Sequence, residues 1–444
     1  MTGNQQKIIE FLTDCKLETL PTSTVHEAKR ALLDTLGCMI AGLDTPLGRK
    51  LVRLSGRFTY SRGATVLGGR KQVLHLFAAM CNGFMANAHD ADDGHRMSRL
   101  HAGGIIIPTV LAAAEEKDCD GGKLIEAIVI GYELGLRAGM ASTDGDIYYG
   151  SAYGSTFGAA AAAGWVIGLS NEQIINAMGI SEMYAPNSML MGWINSRKIP
   201  MIKEGMGWSA ASAIMAAYMA GEGITGTLTI FSGPEKISRI DRLGSEYEIE
   251  HRYYKPGPAC RWTHAPLQTL LGIMDEHQLS VDNVAAINIR TLEKAAQLDN
   301  PEPDTMEDAQ YSIPFVLGSA LLAGEFGPAQ MREDKLTDPL VLEQAGKVRL
   351  EVEPEFDKGY PAQVLCVVSV TTRAGQVFSA ENRKIRGDWD MPLSDEQLTD
   401  KFAVMSQDRL TARQVETVVN RVWSINALSS VQEFIDTLHT AIKN

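Results

Sequence analysis

The chain has 444 residues, 45% of them hydrophobic and 21% charged, with a formal net charge of −13. The length exceeds one ordinary core and predicts two domains, and the composition is that of a folded protein rather than a disordered one. The negative balance argues against nucleic acid as a partner, which needs a broad basic footprint, but permits a small anionic ligand held by a few locally placed cations.

Apolar residues recur at helical spacing from the start: Ala31-Leu32-Leu33, Leu36 and Met39-Ile40, then Leu124 to Met140, where Glu133 and Arg137 are placed for an i,i+4 pair. Pro108 fits the first turn of a helix running to Glu116, where its missing N–H costs nothing. The stretches Phe157–Val166 and Trp208–Ala220 are rich in Ala, Gly and Ser, which lets helices approach closely at a bundle centre. The most apolar run, Phe157 to Leu169, falls short of the roughly 18 residues that span a bilayer, so no membrane segment is expected. Beyond Lys255 the texture alternates, at Ala285–Arg290 and Lys347–Glu353. Gln363–Thr372 and Gln376–Arg383 read as a hairpin around Arg373-Ala374-Gly375. From Ser394 the helical period returns. The expected fold is therefore mainly α with an inserted α+β domain: a helical-bundle domain from 1–254 and 391–444, and a smaller α+β lid from 255–390. Six scattered cysteines without metal-ligand spacing, and no secretory signal, predict reduced thiols in a cytoplasmic protein.

The densest polar cluster is His89-Asp90-Ala91-Asp92-Asp93-Gly94-His95-Arg96, continuing to Arg99 and His101. Three acids and three histidines in thirteen residues, set between apolar runs, admit three readings. A solvated capping loop is one, and a metal site is another. The calcium-loop version of the latter fails because its bidentate Glu position holds His101. Acid/base chemistry fits best, since packed carboxylates and imidazoles separate one another's proton affinities. Ser196–Gly207 places Arg197, Lys198 and Lys203 before a small-residue helix, a potential anion site. Lys255–His264 lies at the proposed domain boundary. No Walker loop, GxGxxG or GxSxG elbow supports nucleotide or serine-hydrolase chemistry.

In order and spacing these segments resemble the MmgE/PrpD family. The resemblance runs from Leu33-Asp34-Thr35-Leu36-Gly37 through the aspartate cluster, Lys203–Gly207, Lys255–His264 and Tyr311–Phe315 to Arg386-Gly387-Asp388 and Lys401-Phe402. It implies a helical domain with an α+β lid, a homodimer, and no organic cofactor or required metal. It also implies a lyase, dehydratase or decarboxylase, that moves a proton beside a carboxylate of a small di- or tricarboxylate. An epimerase or isomerase of the iminodisuccinate type is the alternative, and a non-catalytic homodimeric binding protein a further one. By position, Asp90, His101, Lys203 and His264 are the implied catalytic residues; Asp93, His95, Arg96, Arg99, Tyr153 and Tyr311 are candidate substrate-binding residues. Asp90 and His101 form the acid/base pair, with Lys203, His264 and Arg96 or Arg99 taking carboxylates. Gly94 stands where the family commonly has Thr, Ala102 where it has Pro, and Ala152 where many dehydratases and decarboxylases have His. The last of these moves the reading toward the epimerase branch.

Overall fold

The computed structural model describes residues 3–142, 149–186 and 190–442. Its helices build the first layer: α1 (Thr22–Gly42), α2 (His75–Ala86), α3 (Gly103–Lys117), α4 (Gly121–Ser142), α5 (Tyr153–Ile167) and α6 (Met206–Gly221). Helix α5 lies against α3, α4 and α6, which makes it the centre of the bundle. Its small residues explain that position. A Cβ on Gly158 would collide with the Gly131 carbonyl and stand 2.6 Å from the Gly135 nitrogen, so α4 and α5 touch backbone to backbone. The predicted Glu133–Arg137 pair forms at 3.2 Å inside the bundle. Burial pushes the Glu133 carboxyl up to about 7 despite that partner.

Pro108 departs from expectation. Helix α3 begins at Gly103, so Pro108 is an interior residue and the Gly104 carbonyl has no i+4 N–H to accept from. The apolar run Ile105–Ile107 is fully buried, and that burial carries the helix through its second turn.

The second layer is an α+β unit. Helices α7 (Arg261–Glu276) and α8 (Ile313–Ala323) pack together, and α7 covers one face of a four-stranded sheet. Strands β1 (Gly94–His95) and β2 (Arg252–Tyr253) form a small ribbon elsewhere. The larger sheet runs β4 (Val348–Val352), β3 (Val284–Thr291), β5 (Cys366–Thr372), β6 (Val377–Asn382). Only the β3–β4 pair is parallel. Ile289 faces Val368 across β3 and β5, and Cys366, Val368 and Val370 are buried while their neighbours are not, the period-two pattern of a sheet covered on one side. The hairpin closes where predicted, with Gly375 left-handed and the Thr372 N–H donating to the Gln376 carbonyl.

One hydrophobic core draws on residues 8–254 and 393–442, including α9 (Asp395–Ser406) against α1. A second draws on Ala259 to Ile385, and Leu190, Ile194 and Ile199 reach into it from the helical side. All six cysteines are unpaired. Among the described residues no helix is long and apolar enough to cross a membrane.

Candidate active site

The cluster singled out in the sequence is a loop between α2 and α3, nearly all of it buried. Around Asp90 it lacks regular structure, so its backbone carbonyls there need partners from elsewhere. Four consecutive ones find them: Ala88 accepts from Gln310 Nε2 at 2.8 Å, His89 from the Ala259 N–H at 3.0 Å, Asp90 from Lys255 Nζ at 2.7 Å, and Ala91 from Lys401 Nζ at 2.7 Å. Lys401 also binds Asp34 Oδ1 at 2.6 Å, deep under α9. Burial still raises the Asp34 carboxyl to about 6.

Asp90 sits at φ 53, a backbone region that non-glycine residues seldom occupy. Its Oδ1 accepts from Lys255 at 2.6 Å and lies 3.7 Å from Lys203 Nζ. Burial favours its neutral form, but the two ammoniums outweigh that and hold the carboxyl well below its usual range. His101 is nearby, with Nδ1 3.8 Å from Asp92 Oδ2. Burial raises the Asp92 carboxyl, whose Oδ1 accepts from Asn87 Nδ2 at 3.0 Å. One nitrogen of His101 and one oxygen each of Asp90 and Glu204 lie within 4.8 Å of one another.

Asp90, His101 and Glu204 open onto a cavity of about 510 Å³. Its wall also carries His95, Arg96, Arg99, Arg261, Lys294, Tyr253, Trp262 and Tyr360. Cations outnumber acids on this wall, which suits a polyanionic ligand. Two guanidiniums are braced: Arg96 and Arg261 both bind the buried Asp388, and Arg96 also reaches Asp390 at 2.7 Å. Arg99 hydrogen-bonds Tyr360.

Of the other expected residues, Lys203, His264, Asp93, Tyr153 and Tyr311 lie off the cavity wall, and His95 lies on it. Lys203 is buried with its Nζ 3.7 Å from Asp90 Oδ1, off the cavity wall, and among the described residues that Nζ makes no hydrogen bond. His264 Nε2 donates to the Ala259 carbonyl at 3.1 Å at the start of α7. Burial, reinforced by Lys255, lowers its imidazole to about 4, so it is neutral at pH 7 and brings no charge for a carboxylate. Asp93 takes the Gly103 N–H at 2.9 Å and the Tyr132 hydroxyl at 2.7 Å, which makes it an anchor for the head of α3. Tyr153 stacks on Tyr149 at 4.7 Å, beside the wall residue Ser151 rather than on the wall. Tyr311 donates its hydroxyl to Glu204 Oε1 at 2.7 Å. His95 is on the wall, its Nδ1 accepting from the Ser98 N–H at 3.2 Å and its Nε2 3.4 Å from Glu248.

Family models for the MmgE/PrpD N-terminal domain and the MmgE/PrpD C-terminal domain match residues 6–249 and 258–425. The chain belongs to the MmgE/PrpD family. Among its relatives are cis-aconitate decarboxylases of Mus musculus and Homo sapiens, each 24% identical over 93% of this chain and over 88% and 90% of their own lengths. The cis-aconitate decarboxylase of Aspergillus terreus is 22% identical over all of this chain and 97% of its own.

This MmgE/PrpD chain also explains one of its departures. Gly94 pairs with Tyr253 across β1 and β2, and a Cβ at 94 would strike the Tyr253 ring. The tyrosine occupies the room a threonine side chain would take. Lys294 and Tyr360 carry no motif that distinguishes them from surface residues, and sequence reading gave them no role. Lys255 and Arg261 lie in the boundary segment Lys255–His264 that the sequence singled out, but only His264 of that segment was given a role.

Proposed function

We propose that the protein is a lyase that needs no organic cofactor and moves a proton beside a carboxylate of a small di- or tricarboxylate. The observation that carries this is a buried, doubly lysine-bound Asp90 beside His101 on the wall of a cationic cavity. The names of the relatives support a lyase, and decarboxylation is the reaction they name.

A C–H next to a carboxylate is a very weak acid, and removing its proton builds charge on the carboxylate oxygens. Arg99, Arg261 and Lys294 line the cavity where such charge would develop. In an elimination His101 takes this proton as the leaving group departs from the neighbouring carbon; in a decarboxylation carbon dioxide departs, leaving the same charge behind, and protonated His101 gives that carbon a proton. Asp90, held ionised by its two lysines, binds a proton poorly but stabilises the imidazolium that His101 becomes, and Asp92 Oδ2 lies 3.8 Å from the ring's Nδ1. Lys203 and Lys255 then act through Asp90 rather than on the substrate.

A second reading, an epimerase, rests on Ala152. It is buried next to the wall residue Ser151 and supplies no titratable group there, which leaves one fewer acid for a leaving group. A homodimer, through the family, and a cytoplasmic location, through the unpaired cysteines, belong to the same proposal.

Incubation in D2O with citrate, 2-methylcitrate, cis-aconitate and iminodisuccinate, followed by proton NMR, tests both. Alkene formation or carbon dioxide loss supports the lyase, and deuterium entry without elimination supports the epimerase. His101→Asn should slow either by about a hundred- to ten-thousand-fold; an undiminished rate in that variant removes His101 from the mechanism.

A further inference from the structure

Proton transfer between substrate and His101 leaves Glu204 without a task, yet Glu204 is held in place at some cost. It is 3% exposed and sits at φ 62, followed by Gly205 at φ 74, so the chain makes two successive left-handed residues before helix α6. For a glutamate that backbone is disfavoured. Its Oε1 accepts from the buried Tyr311 hydroxyl at 2.7 Å. Its Oε2 is buried and, among the described residues, has no hydrogen-bond partner. An unmet buried carboxylate oxygen is costly unless a ligand completes it. Glu204 lines the cavity, and one of its oxygens is within 4.8 Å of both Asp90 and His101.

Two kinds of ligand could complete this oxygen. A divalent cation would use Asp90, His101 and Glu204 together. Asp90 Oδ1, however, already binds Lys255 at 2.6 Å and has Lys203 3.7 Å away, so a cation there would face two ammoniums. A hydrogen-bond donor meets no such repulsion. A further substrate carboxylate at this point would be repelled.

We propose that Glu204 is a specificity-determining residue that accepts a hydrogen bond from a hydroxyl or amine N–H on the substrate skeleton, so that the substrate is a hydroxy- or amino-polycarboxylate. The proposal rests on the reading of this cavity as the polycarboxylate site. It narrows the substrate class, because a polycarboxylate with no donor besides its acid groups leaves Glu204 unmatched. Tyr311 acts here as a positioning residue, fixing one carboxylate oxygen and leaving the other for the ligand.

Citrate and tricarballylate make the test, since they carry the same three carboxylates and differ by one hydroxyl. Calorimetric binding to the full chain is the readout. The wild type should bind citrate at least about tenfold more tightly, the worth of one hydrogen bond to a charged acceptor. Glu204→Gln keeps the shape and removes the charge; it should bring the ratio below about threefold, with tricarballylate binding as well as before or better. Should that variant fail to fold, Glu204→Asp, which withdraws the carboxylate, should lower the ratio in the same way. An equal ratio in wild type and variant, or no citrate preference in the wild type, overturns the proposal and leaves the polycarboxylate reading standing. A citrate preference that disappears with EDTA assigns the three residues to a cation and overturns it too. Binding of neither ligand overturns both.

Discussion

Lys255→Met removes the charge that holds Asp90 while keeping most of the side-chain volume. Lys255 Nζ is buried and gives two hydrogen bonds, to Asp90 Oδ1 at 2.6 Å and to the Asp90 carbonyl at 2.7 Å. At an effective dielectric of about 20, unit charges at that separation attract by about 6 kcal/mol. Relief of the buried lysine's desolvation offsets part of this, and deleting one partner of a buried pair typically costs about 3–5 kcal/mol. Lys203 at 3.7 Å remains as a second counter-charge. The expected loss is therefore about 3–5 kcal/mol at pH 7, read by urea unfolding followed by circular dichroism. The pH dependence follows from the sign of the shift. Asp90 is depressed in the wild type, so its contribution is present above the unfolded carboxyl value and is lost as pH falls through the folded one. In the variant the folded value rises. The gap between the two proteins is therefore complete at neutral pH and narrows as Asp90 of the variant takes up its proton. Asp90→Asn combined with Lys255→Met should cost less than the sum of the two single changes. A loss below about 1 kcal/mol, a gap that does not change with pH, or strict additivity would each refute the reasoning.

Two further outcomes check the frame around the site. Gly158→Ala forces a Cβ into the Gly131 carbonyl between α4 and α5, with backbone on both sides and no flexible side chain to yield; thermal unfolding should show a loss of about 1–3 kcal/mol or more, and a wild-type midpoint would contradict the close approach. His264 is lowered to about 4, so between about pH 6.5 and 4 the unfolded chain takes up a proton the folded one refuses, and wild-type stability falls by up to about 3 kcal/mol over that window. His264→Gln should flatten this slope in a series of thermal melts, and an unchanged slope would show that the imidazole charges freely.

The bundle and the sheet were legible because each follows a local period. The Ala- and Gly-rich runs predicted close-packed helices, and Gly158 against the Gly131 carbonyl is such a contact. The hairpin at Arg373–Gly375 was legible for the same reason. The polar cluster at 89–101 stood out because apolar helices flank it. What supports that cluster was not legible. Lys255 is 165 residues from Asp90, Gln310 is 222 from Ala88, and Lys401 is 310 from Ala91, and no spacing rule connects them. Lys203 and His264 were expected at the site, but sequence could not tell that neither lines the cavity wall. Glu204 escaped because a left-handed glutamate leaves no trace in the sequence beyond the glycine after it.

Around Asp90 the loop between α2 and α3 has no regular hydrogen bonding of its own, so its shape there is set by what reaches it. Gln310 and the Ala259 N–H come from the α+β side, while Lys401 comes from α9, which packs on the first helix of the bundle. Four adjacent carbonyls are thus tied to segments from both hydrophobic cores. Neither core alone can hold Asp90 at a positive φ, since each supplies only part of the anchoring. The geometry of the acid/base pair is then a property of the two cores docked together, and disturbing either should reach the site through this loop before it reaches the cavity wall. That arrangement also explains why the residues nearest Asp90 are lysines rather than helix N-termini or main-chain amides. A long, charged side chain can cross from a neighbouring segment, satisfy a loop carbonyl and hold the catalytic carboxylate ionised with the same ammonium, as Lys255 does.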